Sequence, residues 1–67
     1  MLPRRLGRRL KTLRTDKNLT RMELAWRADI TAAYVSLLES GKKKNPSLEI
    51  LQRLAKALGV SVTELLK

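Results

Sequence analysis

Cysteine and histidine are both absent from this chain of 67 residues. Disulfide staples are therefore excluded, and so are zinc sites built from Cys and His ligands. Phenylalanine is missing too, and Trp26 and Tyr34 are the sole aromatics. Such a core is assembled from Leu, Ile, Val and Ala, which suits short, closely packed helices. No apolar run approaches the ~20 residues that cross a bilayer, and there is no signal-peptide core of ~7–15 apolar residues. With no His, no Cys, no clustered carboxylate pair and no Gly-rich phosphate loop, an enzyme is not expected. The expectation is a cytoplasmic protein of one domain, residues 1–67, without metal or cofactor.

Acidic residues are also few, six against fifteen Lys and Arg, for a formal net charge of +9. Nine of the fifteen cations fall within residues 4–27, and Lys42, Lys43 and Lys44 form a run. An excess of this size on so small a body attracts polyanions, either nucleic acid or an anionic membrane surface.

Leucines at 2, 6, 10 and 13, with Arg4, Arg5, Arg8, Arg9 and Lys11 between them, predict an amphipathic helix of about four turns. Pro3 fits its first turn, and the helix ends near Asp16, with Asn18 suited to a left-handed closure. Thr20-Arg21-Met22-Glu23 is a capping box opening a second helix to about Ala28, with Leu24, Ala25 and Ala28 inward. Asp29-Ile30-Thr31 is a turn, and Thr31 caps a third helix that runs to Ser40 and stops at Gly41. Val35 and Leu38 face its core side; Thr31, Ala32, Ala33, Ser36 and Leu37 point elsewhere. A basic loop, Lys42 to Pro46, leads to Ser47, the cap of a fourth helix to Leu58 with Leu48, Leu51, Leu54, Ala55 and Leu58 inward. Gly59 stops it, and Ser61-Val62-Thr63-Glu64 reads as a second capping box before a last short helix.

Two short helices joined by a three-residue turn in a basic body form the helix-turn-helix arrangement, which projects its second helix into the DNA major groove. The residues that carry a family likeness run in order: Leu13-Arg14, Leu19-Thr20, Glu23-Leu24-Ala25, Ile30-Thr31, Val35-Ser36, Leu38-Glu39-Ser40-Gly41 and Asn45-Pro46-Ser47-Leu48. They continue through Leu51, Leu54 to Val60, and Glu64-Leu65-Leu66. On these the sequence resembles the phage-repressor and Cro family, the Xre-type helix-turn-helix domains. That resemblance implies an all-α bundle of five helices. It also implies sequence-specific binding of double-stranded DNA, usually by a homodimer on an inverted repeat, in repressors, restriction-modification controllers or antitoxins. It departs from the family at Asp29, where Gly is common, and at Arg21, where a phosphate-binding Gln is common.

By resemblance, Ala32, Ala33, Ser36 and Leu37 face the bases, and Lys42, Lys43, Lys44 and Asn45 lie along the backbone; Arg21 can meet a phosphate or a guanine edge. Thr31 is a cap whose neighbouring amides turn toward phosphate. Tyr34 has two roles open to it, a phosphate contact or a ring covering the side of the second helix. The lysine run is either a phosphate-binding loop or a solvated charge run. Arg14 and Glu39 match positions that form an ion pair between the first helix and the end of the third. Val62, Leu65 and Leu66, with the preceding Val60 turn, are the candidates for a self-complementary dimer patch; the alternative is that they only cap the monomer core and that dimerisation needs DNA. Trp26, beside Met22 at helical spacing, either packs on the first helix or serves a protein partner; the C-terminal segment is a second candidate for such a partner. The protein-interaction module remains the alternative to a DNA-binding regulator. A membrane-anchor reading of the first helix conflicts with the need for Leu6, Leu10 and Leu13 in the core.

Overall fold

The starts of four helices and the ends of four are set by local devices. The computed structural model describes residues 2–43 and 45–67, with side chains from residue 5 onward. Its helices are α1 (Leu2–Asp16), α2 (Arg21–Ala28), α3 (Ala32–Ser40), α4 (Leu48–Leu58) and α5 (Val62–Leu66), and no described residue lies in a strand. Thr20, Thr31, Ser47 and Ser61 stand extended before α2, α3, α4 and α5. Their hydroxyls accept from the amides of Glu23, Tyr34, Ile50 and Glu64 at 3.0–3.1 Å. Each such cap satisfies an otherwise orphaned amide and contributes about 1 kcal/mol.

The stops are as regular as the starts. Asn18 (φ 57°), Asp29 (58°), Gly41 (80°) and Gly59 (71°) adopt the left-handed conformation. Each turn lets the next amide reach back to a carbonyl five residues earlier: Leu19 to Arg14, Ile30 to Ala25, Lys42 to Leu37 and Val60 to Ala55, at 2.9–3.1 Å. This is the Schellman closure. Leu19, Ile30 and Val60 then pack on the core. Lys42, which is exposed, cannot, so after α3 the chain turns outward into the basic segment.

The principal helix contacts form a ring, α1 to α3, α3 to α2, α2 to α4, α4 to α5 and α5 back to α1. Inside it lie Leu6, Leu10, Leu24, Val35, Leu38, Leu54, Leu58 and Leu65, all under 2% exposed. Burial of each such side chain contributes about 1.5–3 kcal/mol. In α1, Gly7 is buried with them because the backbone of α3 comes close. A Cβ at this position would stand 2.5 Å from the Leu38 carbonyl oxygen and 2.7 Å from that of Glu39.

Three expectations are corrected. Leu48 is not inward but 62% exposed. It is the first residue of α4, and helical side chains lean toward the N-terminus, which here carries it past the end of the core. Ile50 and Leu51 pack there instead. The second capping box closes only by half. Ser61 accepts from the Glu64 amide, but the Glu64 carboxylate turns to Arg9 Nη2 (2.9 Å) and Lys67 Nζ (3.0 Å). Arg9 Nε also donates to the Glu64 carbonyl, so α1 is latched to α5. Leu65, expected in a dimer patch, is fully buried in the core. On a short helix with one face against α1 and α4, it is the central inward residue. The contributions expected of Leu2, Pro3 and Arg4 side chains lie outside the described residues.

Candidate nucleic-acid interface

Nine residues make α3, and its sequence leaves it nearly free of charge. Val35 and Leu38 anchor it to the core, and Ala32 is half-buried at its start. Ala33, Ser36, Leu37 and Ser40 are exposed at a spacing of three, four and seven residues, so they share one outward stripe. Ser40, which sequence reasoning overlooked, extends that stripe by a turn; its hydroxyl donates to the Leu37 carbonyl at 3.1 Å. Tyr34 is half-buried against the core, and Lys43 Nζ lies 5.7 Å from the centre of its ring, within cation–π range. Lys42, Lys43 and Asn45 are exposed. The Lys42 and Lys43 amides both donate to the Leu37 carbonyl, at 3.0 and 3.1 Å, which ties the loop to the end of α3. Lys44 lies outside the described residues.

The one acid on α3 is withdrawn from this surface. The Glu39 side chain is 3% exposed and accepts from Arg14 Nε at 2.6 Å and Arg14 Nη2 at 3.2 Å. Arg14 Nη1 donates to the Leu19 carbonyl at 2.7 Å, so this buried guanidinium is engaged through three nitrogens. Arg21, at the start of α2, adds a third donor to the same carboxylate through its Nε, at 3.0 Å, while its side chain stays 46% exposed. One negative charge is thus held between two positive ones at the C-terminal end of α3. Neither Gly7 nor the Arg21–Glu39 contact was visible from local sequence. For Gly7 the available signal was a lone glycine inside a helical pattern.

Two carboxylates at helix starts are shifted. The Thr20 amide donates to Glu23 Oε1 at 2.8 Å. That bond, then the Thr20 hydroxyl and the Arg27 charge, hold the Glu23 carboxyl below the usual carboxylate range. Lys67, by hydrogen bond and charge, and then Arg9 do the same for Glu64. Among the described residues no group of His, Cys, Asp and Glu is placed to hold a metal ion. No described helix is long and apolar enough to cross a membrane.

What results is a neutral helix of methyl and hydroxyl groups, about 13 Å long at 1.5 Å per residue, flanked by guanidinium and ammonium groups. It is joined to α2 through a tight turn closed by Asp29 and capped by Thr31. That combination defines a helix-turn-helix unit. The helix-turn-helix domain family matches residues 5–66, and the chain belongs to this family, with the Xre-type regulators.

Among known proteins it is similar to the HTH-type transcriptional regulator DdrOP3 of Deinococcus deserti, 43% identical over 63 residues, which cover 94% of this chain and 48% of that protein. It is 36% identical over 61 residues to the transcriptional regulator SinR of Bacillus subtilis, covering 91% of this chain and 55% of SinR. The chain therefore spans about half the length of these relatives. In three dimensions it superposes on SinR, the master regulator for biofilm formation, in complex with DNA. The TM-score there is 0.88 at 35% identity, over 92% of this chain and 98% of that one. The restriction-modification controller protein C.AhdI of Aeromonas hydrophila gives 0.89 at 37% identity, over 92% of both chains.

Proposed function

We propose that this chain is a cytoplasmic, non-enzymatic transcriptional regulator that reads double-stranded DNA by laying α3 in the major groove. The observation that carries this reading is the uncharged outer stripe of α3, whose only carboxylate, Glu39, is held inside by Arg14 and Arg21. A free carboxylate there would repel the phosphates; a neutral helix rimmed by cations suits a groove about 12 Å wide. Ala33 and Leu37, with Ala32 at the edge, offer methyl groups to thymine methyls, and Ser36 offers a hydroxyl that donates or accepts. Since none of these is a long bidentate donor, discrimination also draws on Arg21 and on DNA shape. Glu39 occupies Arg21 Nε, which leaves the two terminal nitrogens to meet a phosphate or a guanine edge. Lys42, Lys43, Lys44 and Asn45 follow the backbone, as does Tyr34 through its hydroxyl, while Thr31 sets the helix start. The regulators DdrOP3 and SinR, the second in complex with DNA, support this reading.

One such helix reads few base pairs. A homodimer on an inverted repeat places two of them one DNA turn apart, ~34 Å. Val62 and Leu66, half-buried on α5, are the contact proposed for it. The test is selection of duplexes from a random pool, followed by titration at two salt concentrations. With six to ten phosphates engaged, affinity should fall by roughly 10³–10⁵ between ~50 and ~200 mM salt. Failure to enrich any sequence, or binding indifferent to salt, rejects the reading. Sedimentation with and without the selected duplex tests the dimer, and a monomer that occupies half-sites and full repeats equally well per site rejects it.

A further inference from the structure

The outer face of α2 carries chemistry that the DNA reading leaves unused. Met22 and Trp26 are one helical turn apart and are 74% and 84% exposed. Trp26 therefore does not pack on α1, one of the two roles open to it from sequence. Together they make an apolar, aromatic patch on a chain with little aromatic surface to spare.

Beside this patch an open cleft of about 470 Å³ lies between the C-terminal end of α2 and α4, lined by Arg27, Asp29, Arg53 and Lys56 with two alanines. Arg27, which lines the cleft, follows Trp26 in α2 and stands about 100° further round the helix. The cleft holds three cations against the Asp29 carboxylate. Arg53 is already engaged, by Glu49 at 2.6 Å and by the Asp29 carbonyl at 3.4 Å. Among the described residues, Arg27 and Lys56 make no ion pair. Glu23, the sole acid within α2, caps its N-terminus and feels the Arg27 charge without forming an ion pair with it. The surface therefore presents an apolar pair bordered by two cations outside any ion pair, Arg27 and Lys56.

We infer that this face docks an acidic amphipathic segment of a partner protein. Its apolar side chains cover Met22 and Trp26, and its carboxylates meet Arg27 and Lys56, in the helix-on-groove mode of recognition. Charge decides between occupants. A second copy would bring the same cations against one another. A duplex would answer the cations and leave the Met22–Trp26 area uncovered. The inference does not rest on the DNA reading, because Met22, Trp26, Arg27 and Lys56 are not among the residues assigned to DNA.

Trp26 is the only tryptophan, so its emission reports on this face alone. The probe is a synthetic helical peptide of about four turns, leucines along one face and glutamates elsewhere. A shuffled peptide of the same composition is the comparator. A saturable blue shift of Trp26 emission is expected with the amphipathic peptide, and binding at least about tenfold weaker with the shuffled one. By anisotropy of the labelled peptide, Met22→Ala, Trp26→Ala, Arg27→Glu and Lys56→Glu should each weaken binding several-fold, with melting temperatures near that of the parent. The peptide should bind equally well when the protein is saturated with its selected duplex. Equal binding of the shuffled peptide, no saturable shift, or indifference to Arg27→Glu and Lys56→Glu overturns the inference. So does a Trp26 shift caused by duplex DNA, by anionic vesicles or by raised protein concentration that the peptide does not reverse.

Discussion

Gly7→Ala sets helix propensity against packing, and the two give opposite signs. Position 7 lies inside α1, where alanine is favoured over glycine by about 1 kcal/mol. If local preference governed, the variant would be more stable than the parent. The structure says otherwise. The new Cβ would sit 2.5 Å from the Leu38 carbonyl oxygen and 2.7 Å from that of Glu39. A relaxed carbon–oxygen contact is about 3.3 Å, so α1 and α3 must separate by roughly 0.8 Å. Backbone carbonyls in a helix cannot swing aside like the tip of a side chain. Overpacking of this kind costs about 1–3 kcal/mol, and a clash with two backbone oxygens belongs at or above the top of that range. After the propensity gain, a net loss of about 2 kcal/mol remains. For a domain of this size that corresponds to a fall in Tm of roughly 8–16 °C. Thermal melts followed by circular dichroism decide it, with Thr12→Ala on the exposed side of α1 as the control. A Gly7→Ala variant that melts at or above the parent temperature would refute the reasoning.

Glu39→Ala strands the buried Arg14 and should cost about 3 kcal/mol, while the Arg14–Glu39 double-mutant cycle in urea should show coupling, which strict additivity would disprove. Leu65→Ala should lose about 2–5 kcal/mol and Leu48→Ala well under ~1 kcal/mol, as their opposite exposures demand; similar losses at the two sites would mean that the register of α4 or α5 is wrong. Glu23 and Glu64 have folded-state pKa values below their unfolded ones, so the unfolded chain takes up the protons first. The stability they contribute is present above the ordinary glutamate value of about 4.3 and is lost as pH falls through the depressed folded values. Melts from neutral pH to about pH 3 should therefore show a smaller acid loss for Glu64→Gln than for the parent.

How far the fold was legible depends on the range of the interaction. Thr20, Thr31, Ser47 and Ser61 act on amides three residues away, and Asn18, Gly41 and Gly59 act on the turn they occupy, so sequence alone delimits the helices. Periodicity likewise separates Leu24, Ala25, Ala28, Val35 and Leu38 from the outward positions. It fails at helix ends, where Leu48 has the right spacing but nothing above it to cover it. Contacts between distant segments were not legible from residues taken singly. Glu64 carried the signature of a capping carboxylate, yet Arg9, 55 positions away, and Lys67 claim it. The Arg14–Glu39 pairing came from family likeness, and the share of Arg21 in it required the structure. For the stripe from Ala33 to Leu37, the sequence gives the outward face, and the choice of base is a property of the DNA as much as of the chain.

The circular order of the helices has a consequence for how the chain comes apart. A hoop has no weakest end. α3 is gripped by α1 on one side and α2 on the other, and α1 is itself held by α5 through Arg9 and Glu64. Loosening the last helix therefore frees the first, and a freed first helix uncovers the back of α3. Opening should spread around the hoop rather than stop at a frayed terminus. Amide exchange would then give the protected protons of α3 and those of the buried turns of α1 a common opening free energy, close to that of global unfolding.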